Sequence, residues 1–598
     1  MENTLYERIA ASFDRLAESG GRCLLVSLVV TLVVFGVASC AWVPNGVYDD
    51  WSISNALSAN WGQDEGLCLF LNALLCRLIF WLNSAFTSVN WFFVVERLSA
   101  FAAYLAVVYL SLRHLRFPFS AVTFFAATVL ALPGCTYESN FTYVAGMLVG
   151  AGGLALLCSL GKDRHAPSLV VAGIVFMAAG ALFRWTMFVL SVPLFGIAAL
   201  FVLFRERNDG MEAGRRLVRL WPFALALVCF AGLYFYNDSA WQEQPWSEWY
   251  EFNEARSDIA DYTYASYDDV ADELSALGVS RNDYRMLKSW ITEDPEFFTV
   301  EKLEAIRDVV TGQRADVSRL ASAVPSFFVD IVSSLRFDGL IVALLAAVLA
   351  CARGRGRVAA LAVMFVALVV CWALFAFGRM PARVFLPAWL FTALAASMLA
   401  GMREPAAGFR RTRMASHAAI SWPTRLIGPC LAVLPVVAIA FIMAFSVTHI
   451  RIDRLEALFA EDSFNPGGYV YDYIESHDDE VFVLDIPSSA VLIYANLMIA
   501  PFDADTVNHT SSVGGWAAHA PYATARNVRI DMKSPIRGLV ENDRARLLTR
   551  GADTADMLLA YLQEHGYPDA SCEVVDVIKE PSSSSKMNVY EFSKGTSG

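Results

Sequence analysis

Leu67–Ala85 reads LCLFLNALLCRLIFWLNSA, a run apolar enough to cross a bilayer but broken by Asn72 and Arg77 near its middle. Whether it crosses decides on which side of the membrane every later loop lies. Further apolar segments lie at Cys23–Val43 and at about 90–112, 117–133, 142–160, 168–183, 186–204, 219–236, 338–352, 358–377, 384–402 and 427–447. Each approaches the ~20 residues that a spanning helix needs. The basic connections are Arg113–Arg116, Lys162–His165, Arg205–Arg219, Arg353–Arg357 and Arg403–Arg425. They fall at every second connection, as short cytoplasmic loops rich in Lys and Arg should. If Leu67–Ala85 spanned, all five would face outward, and Arg77 at the centre would cost about 2.5–3.5 kcal/mol. The segment is therefore expected to lie on the outer surface with its apolar face in the interface.

The expected architecture is mainly α: a polytopic bundle of about 11 spans with surface juxtamembrane helices and a C-terminal extracytoplasmic α/β domain. The composition agrees, with 56% hydrophobic residues and a mean hydropathy of +0.45. The expected place is the plasma membrane, multi-pass, with the N-terminus cytoplasmic and the C-terminal domain outside. Residues 1–22 read as a cytoplasmic amphipathic segment, too long and too acidic for a signal-peptide leader, which leaves Cys23–Val43 uncleaved. Val37-Ala38-Ser39-Cys40 resembles a lipoprotein cleavage box, and the same leader opposes that reading. Most of the 11 cysteines sit inside apolar segments, where they act as small hydrophobes. No metal-type Cys/His spacing occurs.

The transmembrane domain is read as 23–450, including the outer loop 44–89 and a large outer loop 237–336. That large loop holds 20 acids and 9 bases, a net −11 of the chain's −13. Acid placed outside fits the positive-inside rule and excludes a nucleic-acid partner. Helices are expected at 269–277, 283–291 and 300–312. The tail 451–598 reads as a soluble α/β domain. Its expected helices lie at 466–476, 489–498 and 554–565, and its strands at 480–485, 572–578 and 587–592. Gly514-Gly515-Trp516 reads as a loop. His509 and His519 flank it and read as ordinary polar residues, and Asn508-His509-Thr510 is a glycosylation sequon.

This topology puts several charged and aromatic residues at one membrane face. Asp49-Asp50-Trp51 opens the first outer loop, and Glu138 lies in the second. Arg184-Trp185 forms the third hairpin, and Arg379 and Arg383 flank Pro381 in the fifth. Arginine and tryptophan are common anchors at an interface. Anchoring does not account for an acidic pair held against the bilayer. Glycosyl transfer from a lipid-phosphate sugar uses such a set. A carboxylate removes the acceptor's proton, arginines or a divalent ion stabilise the departing phosphate, and aromatic faces stack on sugar rings.

In arrangement the chain resembles the GT-C class of membrane glycosyltransferases, which use polyprenyl-phosphate-linked sugars. The likeness spans roughly residues 20–450: a first span, an outer loop opening with Asp49-Asp50, surface helices at Leu67–Ala85, a bundle and an outer C-terminal domain. Ala276–Trp290 resembles a segment of bacterial members. The resemblance implies that Asp50 or Asp49 is catalytic and that Glu138 assists acceptor or metal binding. A metal, Mg or Mn, would then sit on Asp50 and Glu138. Arg184, Arg379 and Arg383 would hold the donor phosphate, and Trp51 and Trp185 would stack on sugar. The implied partners are a polyprenyl-phosphate-linked sugar, an envelope glycan, lipid or polymer acceptor, and the bilayer. No WWDYG-type signature of oligosaccharyltransferases occurs, which speaks against protein N-glycosylation. A transporter or flippase of a lipid-linked glycan, and a non-catalytic envelope scaffold, are the other readings. A flippase predicts charge near the bilayer midplane, whereas the spans at 117–133, 142–160 and 427–447 are nearly free of charge.

Overall fold

Peptide groups inside a bilayer have no water to bond, so long apolar runs there must close their hydrogen bonds as helices. The computed structural model describes residues 5–40, 48–58, 65–136, 140–161, 166–204, 213–262, 265–311, 323–329, 335–377, 380–403, 433–449, 468–486, 488, 509–579 and 586–595. Among the described residues, eight helices are long and apolar enough to cross a membrane. In chain order the N-terminal half holds α1 (Leu5–Glu18), α2 (Gly20–Cys40), α3 (Tyr48–Ala56), α4 (Ala73–Ala85), α5 (Trp91–His114) and α6 (Phe119–Thr136, with a π-helical turn at Ala127–Ala131). There follow α7 (Phe141–Ser159), α8 (Pro167–Phe183), α9 (Trp185–Phe204) and α10 (Trp221–Trp241). The large loop then holds α11 (Trp246–Ala260), α12 (Arg281–Lys288) and α13 (Val300–Thr311). The last apolar helices are α14 (Leu335–Cys351), α15 (Gly354–Ala376), α16 (Ala382–Gly401) and α17 (Leu434–His449). Each of the eleven expected spans coincides with one of these helices. Three of them, α8, α14 and α17, are only 16–17 residues long.

Leu67–Ala85 is not one helix. Asn72 follows a turn at Leu69–Phe70 and caps α4, its side chain accepting the Leu74 N–H at 3.0 Å. The resulting 13-residue helix reaches about 20 Å at 1.5 Å per residue, short of the ~30 Å hydrocarbon core. Arg77 lies at the surface, pairing with Glu65 and with Glu243 at 3.2 Å.

At the centre of the bundle α7 is buried along all its 19 residues. Glycines make this possible by letting neighbouring helices approach closely. A Cβ on Gly152 would lie 2.7 Å from the Gly173 carbonyl of α8, and one on Gly153 would meet the Phe195 ring of α9 at 2.3 Å.

Two opposite faces follow from the contacts. On one, Arg113 bonds the Ala17 carbonyl of α1, Arg403 pairs with Asp14 at 2.6 Å, and Arg116 N–H bonds Gly401. Arg219 bonds the Leu160 carbonyl there at 2.6 Å. The described ends of these basic connections thus share a side with α1, the parity that the charge alternation requires. The other face carries α3, the segment leading into α4, and the described parts of the large loop and the tail.

The tail holds α18 (Gly468–Glu475), β1 (Val481–Leu484), β2 (Thr510–Ser512), α19 (Pro521–Arg529), α20 (Pro535–Glu541), β3 (Ala545–Thr549), α21 (Ala552–Glu564), β4 (Ser571–Lys579) and β5 (Lys586–Ser593). Its sheet runs β2-β1-β3-β5-β4, with β1 parallel to β2 and β3 and the last two pairings antiparallel. β1 is buried on both faces, as a continuously apolar VFVL run in a covered parallel sheet should be. The expected helix at 489–498 lies outside the described residues. β2, β3, α11, α19 and α20 have no counterpart in the sequence reading, because their apolar content is short or lacks a clear period.

The large loop contacts α4 of the membrane part, through Glu243 and Asn237, and also the tail. Ile291 bridges Gly514 beside β2, and Thr292 N–H bonds the Val513 carbonyl at 3.1 Å. Trp249 Nε1 donates to the Ala518 carbonyl at 3.0 Å. Buried Glu293 accepts from Asn527 at 3.0 Å and from the His519 N–H at 3.2 Å. Fully buried Asp294 accepts from Arg537 at 2.7 Å and from the Tyr561 hydroxyl at 2.6 Å. His519 stacks on Phe252 and bonds the Thr292 carbonyl at 2.8 Å, an ordinary structural use.

Two outcomes check this packing. Gly152→Val should overfill the α7–α8 seam and cost about 1–3 kcal/mol, measured as a lower melting temperature in detergent; an unchanged value would place the seam elsewhere. Arg537→Ala should leave Asp294 buried without its charge partner, a loss of about 3–5 kcal/mol. Limited proteolysis should then cut the tail faster than in the parent protein.

Candidate functional site at the mouth of the bundle

α3 begins at the acidic pair, and carboxylates in a first turn are favoured by the free N–H groups and the helix dipole. Adjacent helical residues point about 100° apart, so the two acids take different surroundings. Asp49 turns outward and pairs with Arg383 at 2.7 Å, the arginine about half exposed. Such a pair is worth at most about 1 kcal/mol, and its effect is to hold Arg383 beside α3. Asp50 turns inward and is fully buried. Its Oδ1 accepts the Phe141 N–H at 2.9 Å, the first turn of α7. Its Oδ2 is buried and has no hydrogen-bond partner among the described residues.

Asp50 thus bridges the starts of two helices. Asn140 completes the α7 terminus by accepting the Thr142 N–H at 3.0 Å. Ser54, one turn beyond Asp50, hydrogen-bonds Asn90 at the start of α5 and holds α3 against that helix. Two residues that the sequence reading passed over also belong here. Glu96 on α5 is buried and acts on Asp50 through its charge. Arg97, its neighbour, bonds the carbonyls of Cys135 and Thr136, the latter at 2.6 Å. An adjacent acid and base near the start of an otherwise apolar span was the available signal. Burial and the nearby Glu96 push the Asp50 carboxyl well above the usual carboxylate range, and the Phe141 N–H and Arg383 oppose this only in part.

Arg184 ends α8, where its N–H bonds the Gly180 carbonyl at 2.9 Å. Its guanidinium lies over two rings, 5.1 Å from the Phe70 centroid and 5.6 Å from that of Phe141. Those rings stack at 5.5 Å. The charge therefore sits on an aromatic platform whose lower ring belongs to the residue that bonds Asp50. Trp185 turns away from this group. It is 42% exposed and packs edge-on to Tyr234 of α10 at 5.8 Å. Trp51 lies in α3. Glu138 and Arg379 lie outside the described residues.

The structure thus brings together Asp49, Asp50, Arg184 and Arg383 at one end of the bundle, with Glu96, Arg97, Phe70 and Phe141 added. As a ligand set, the site offers Asp50 Oδ2, buried and without a hydrogen-bond partner among the described residues. That suits an ion of the Mg type, which takes one or two carboxylates and fills its sphere with water and phosphate oxygens. Elsewhere, Asp283, Glu564 and His565 also lie close together. Asp283 there accepts the Ser280 N–H and His565, and Glu564 accepts the Ser280 hydroxyl, so the group serves as the cap of α12.

No family model matches the chain, and no curated protein matches it. Two solved structures, both of ArnT from Cupriavidus metallidurans, align along most of its length. The one bound to undecaprenyl phosphate is 11% identical, covers 96% of this chain and 98% of its own, and has a TM-score of 0.36. The apo form is 11% identical, covers 95% and 97%, and has a TM-score of 0.38. Likeness this weak assigns no role to any residue.

A carboxyl whose folded-state pKa is raised favours the protonated form, so its stabilising contribution is full below about pH 4, the unfolded value. That contribution is lost as pH rises through the folded value. Asp50→Asn, which keeps the shape and stays neutral, should therefore melt above the parent protein at neutral and alkaline pH. The two should converge in acid. Melting curves across pH decide it, and a parent protein more stable at neutral pH would show that the ionised carboxylate is the favoured form.

Proposed function

We propose that the chain is an inverting GT-C-type membrane glycosyltransferase. It would move a sugar from a polyprenyl-phosphate donor to a hydroxyl of an envelope glycan, lipid or polymer. The observation that carries this reading is Asp50: fully buried, one oxygen committed to the α7 terminus, the other without a protein partner among the described residues, and two arginines at the same mouth. The reading further places α1 and the basic loops in the cytoplasm by the positive-inside rule, so that the site faces outward and the tail is extracytoplasmic.

In this mechanism Asp50 Oδ2 takes the proton of the acceptor hydroxyl. The acceptor oxygen forms a bond to the anomeric carbon as that carbon's bond to the phosphate oxygen breaks, on the opposite side. A raised proton affinity suits a general base, because it brings the group nearer the working pH. The Phe141 N–H fixes the carboxylate's rotation, so Oδ2 keeps one direction. Arg184, held beside Phe70 and Phe141, meets the charge that gathers on the leaving phosphate, and a forked donor suits phosphate geometry. Arg383 and Arg379 would add to that clamp, and Asp49 holds Arg383 ready. Trp51 is the proposed sugar-stacking residue. Where a divalent cation such as Mg or Mn takes part, the carboxylates of Asp50 and Glu138 would hold it, and it would supply further charge for the phosphate.

The test is transfer of labelled sugar from a polyprenyl-phosphate donor in membranes. Asp50→Asn should lower the rate by about 10²–10⁴, the usual worth of a positioned base. Arg184→Ala should raise the KM for the donor. Full activity in a stably folded Asp50→Asn protein would sink the assignment.

A further inference from the structure

The tail does more than cover the mouth of the bundle. Trp516 stands at the turn that leaves the carboxyl end of β2, and its ring meets Phe70 edge-on at 4.9 Å. Phe70 stacks on Phe141, whose N–H holds Asp50, and Arg184 lies over both rings. Two ring contacts therefore lead from the tail to the proposed base. Along this path burial changes: Phe141 and Asp50 are buried, whereas Phe70, Arg184 and Trp516 are partly exposed.

The turn is built to carry that ring. A Cβ on Gly514 would lie 1.9 Å from the Trp290 carbonyl, so only glycine fits, and Gly515 has φ +100. Gly515 N–H bonds the same Trp290 carbonyl at 2.8 Å, and Trp249 stands 6.4 Å behind Trp516. The turn is thus pinned by the large loop. It also lies at the carboxyl ends of β1 and β2, the edge at which parallel α/β sheets bind ligands.

We propose that Trp516 of the tail, edge-on to Phe70, forms one wall of the acceptor's seat, and that the acceptor it receives carries a pyranose ring. A partly exposed indole beside a phenyl ring offers apolar faces for the C–H side of a sugar. The donor's lipid has no need of the tail, because its chain lies in the membrane. This inference rests on the reaction proposed above for its kinetic arm only.

The experiment uses the full chain in nanodiscs and a short alkyl glucoside as surrogate acceptor. A diazirine-bearing glucoside should label the segments 65–72 and 509–519, in competition with the unlabelled glucoside. Trp516→Ala should raise the KM for the glucoside about three- to tenfold, the scale of one ring contact. The KM for the donor should stay put, and Trp516→Phe should recover most of the loss. Label on these segments without any sugar transfer would fault the proposed reaction and support the seat. Label elsewhere, or a Trp516→Ala protein that loses only kcat or only melting temperature, would overturn it.

Discussion

The hydrogen bond from Phe141 N–H to Asp50 joins the outer loop to the centre of the bundle. α7 is buried from end to end, so its first free N–H groups cannot turn to water and must find an acceptor. Asp50 supplies one, and in doing so brings α3 onto the mouth of the bundle. A carboxylate there is costly to ionise, because burial and Glu96 both oppose charge. Two helix termini and a nearby arginine reduce that cost without removing it. The same arrangement leaves Oδ2 without a hydrogen-bond partner among the described residues, which is the state a proton acceptor requires.

Around this joint the structure separates rigid from adaptable parts. Glycines let α7, α8 and α9 touch backbone to side chain, so the floor of the site has little room to move. Above it the large loop and the tail form a single unit, stitched by the buried carboxylates Glu293 and Asp294. Buried acids of this kind hold only with their partners present, which makes the union specific rather than merely apolar. Its contact with the membrane part includes rings, Trp516 on Phe70 among them. Aromatic contacts fix a wall while leaving faces for a ligand.

Much of the architecture was legible in the chain. The spans were readable because a bilayer leaves helices as the only way to satisfy the backbone, and the alternation of basic loops set their parity. Arg77 within Leu67–Ala85 correctly argued against a span, and α4 proves too short to cross. The strands β1, β4 and β5 were visible as apolar or alternating runs. α11 was not, because its buried residues, Trp246, Trp249, Phe252 and Ile259 among them, are interleaved with acids and the segment reads as a polar loop. Glu96 and Arg97 were overlooked because a charged pair near the start of a span resembles an interface anchor until its burial is known.

Hydropathy and charge act locally along the chain, so the sequence alone located the membrane helices and gathered Asp49, Asp50, Arg184 and Arg383 at one end. It left Asp49 and Asp50 equivalent. Only the tertiary structure separated them, since the ~100° step between adjacent residues of α3 sends Asp49 out to Arg383 and Asp50 in to the α7 terminus. The place of Glu96 beside Asp50 and of Trp516 on Phe70 was likewise decided by packing between segments distant in sequence. No periodicity encodes such a contact, because it depends on where two separate elements come to rest against each other.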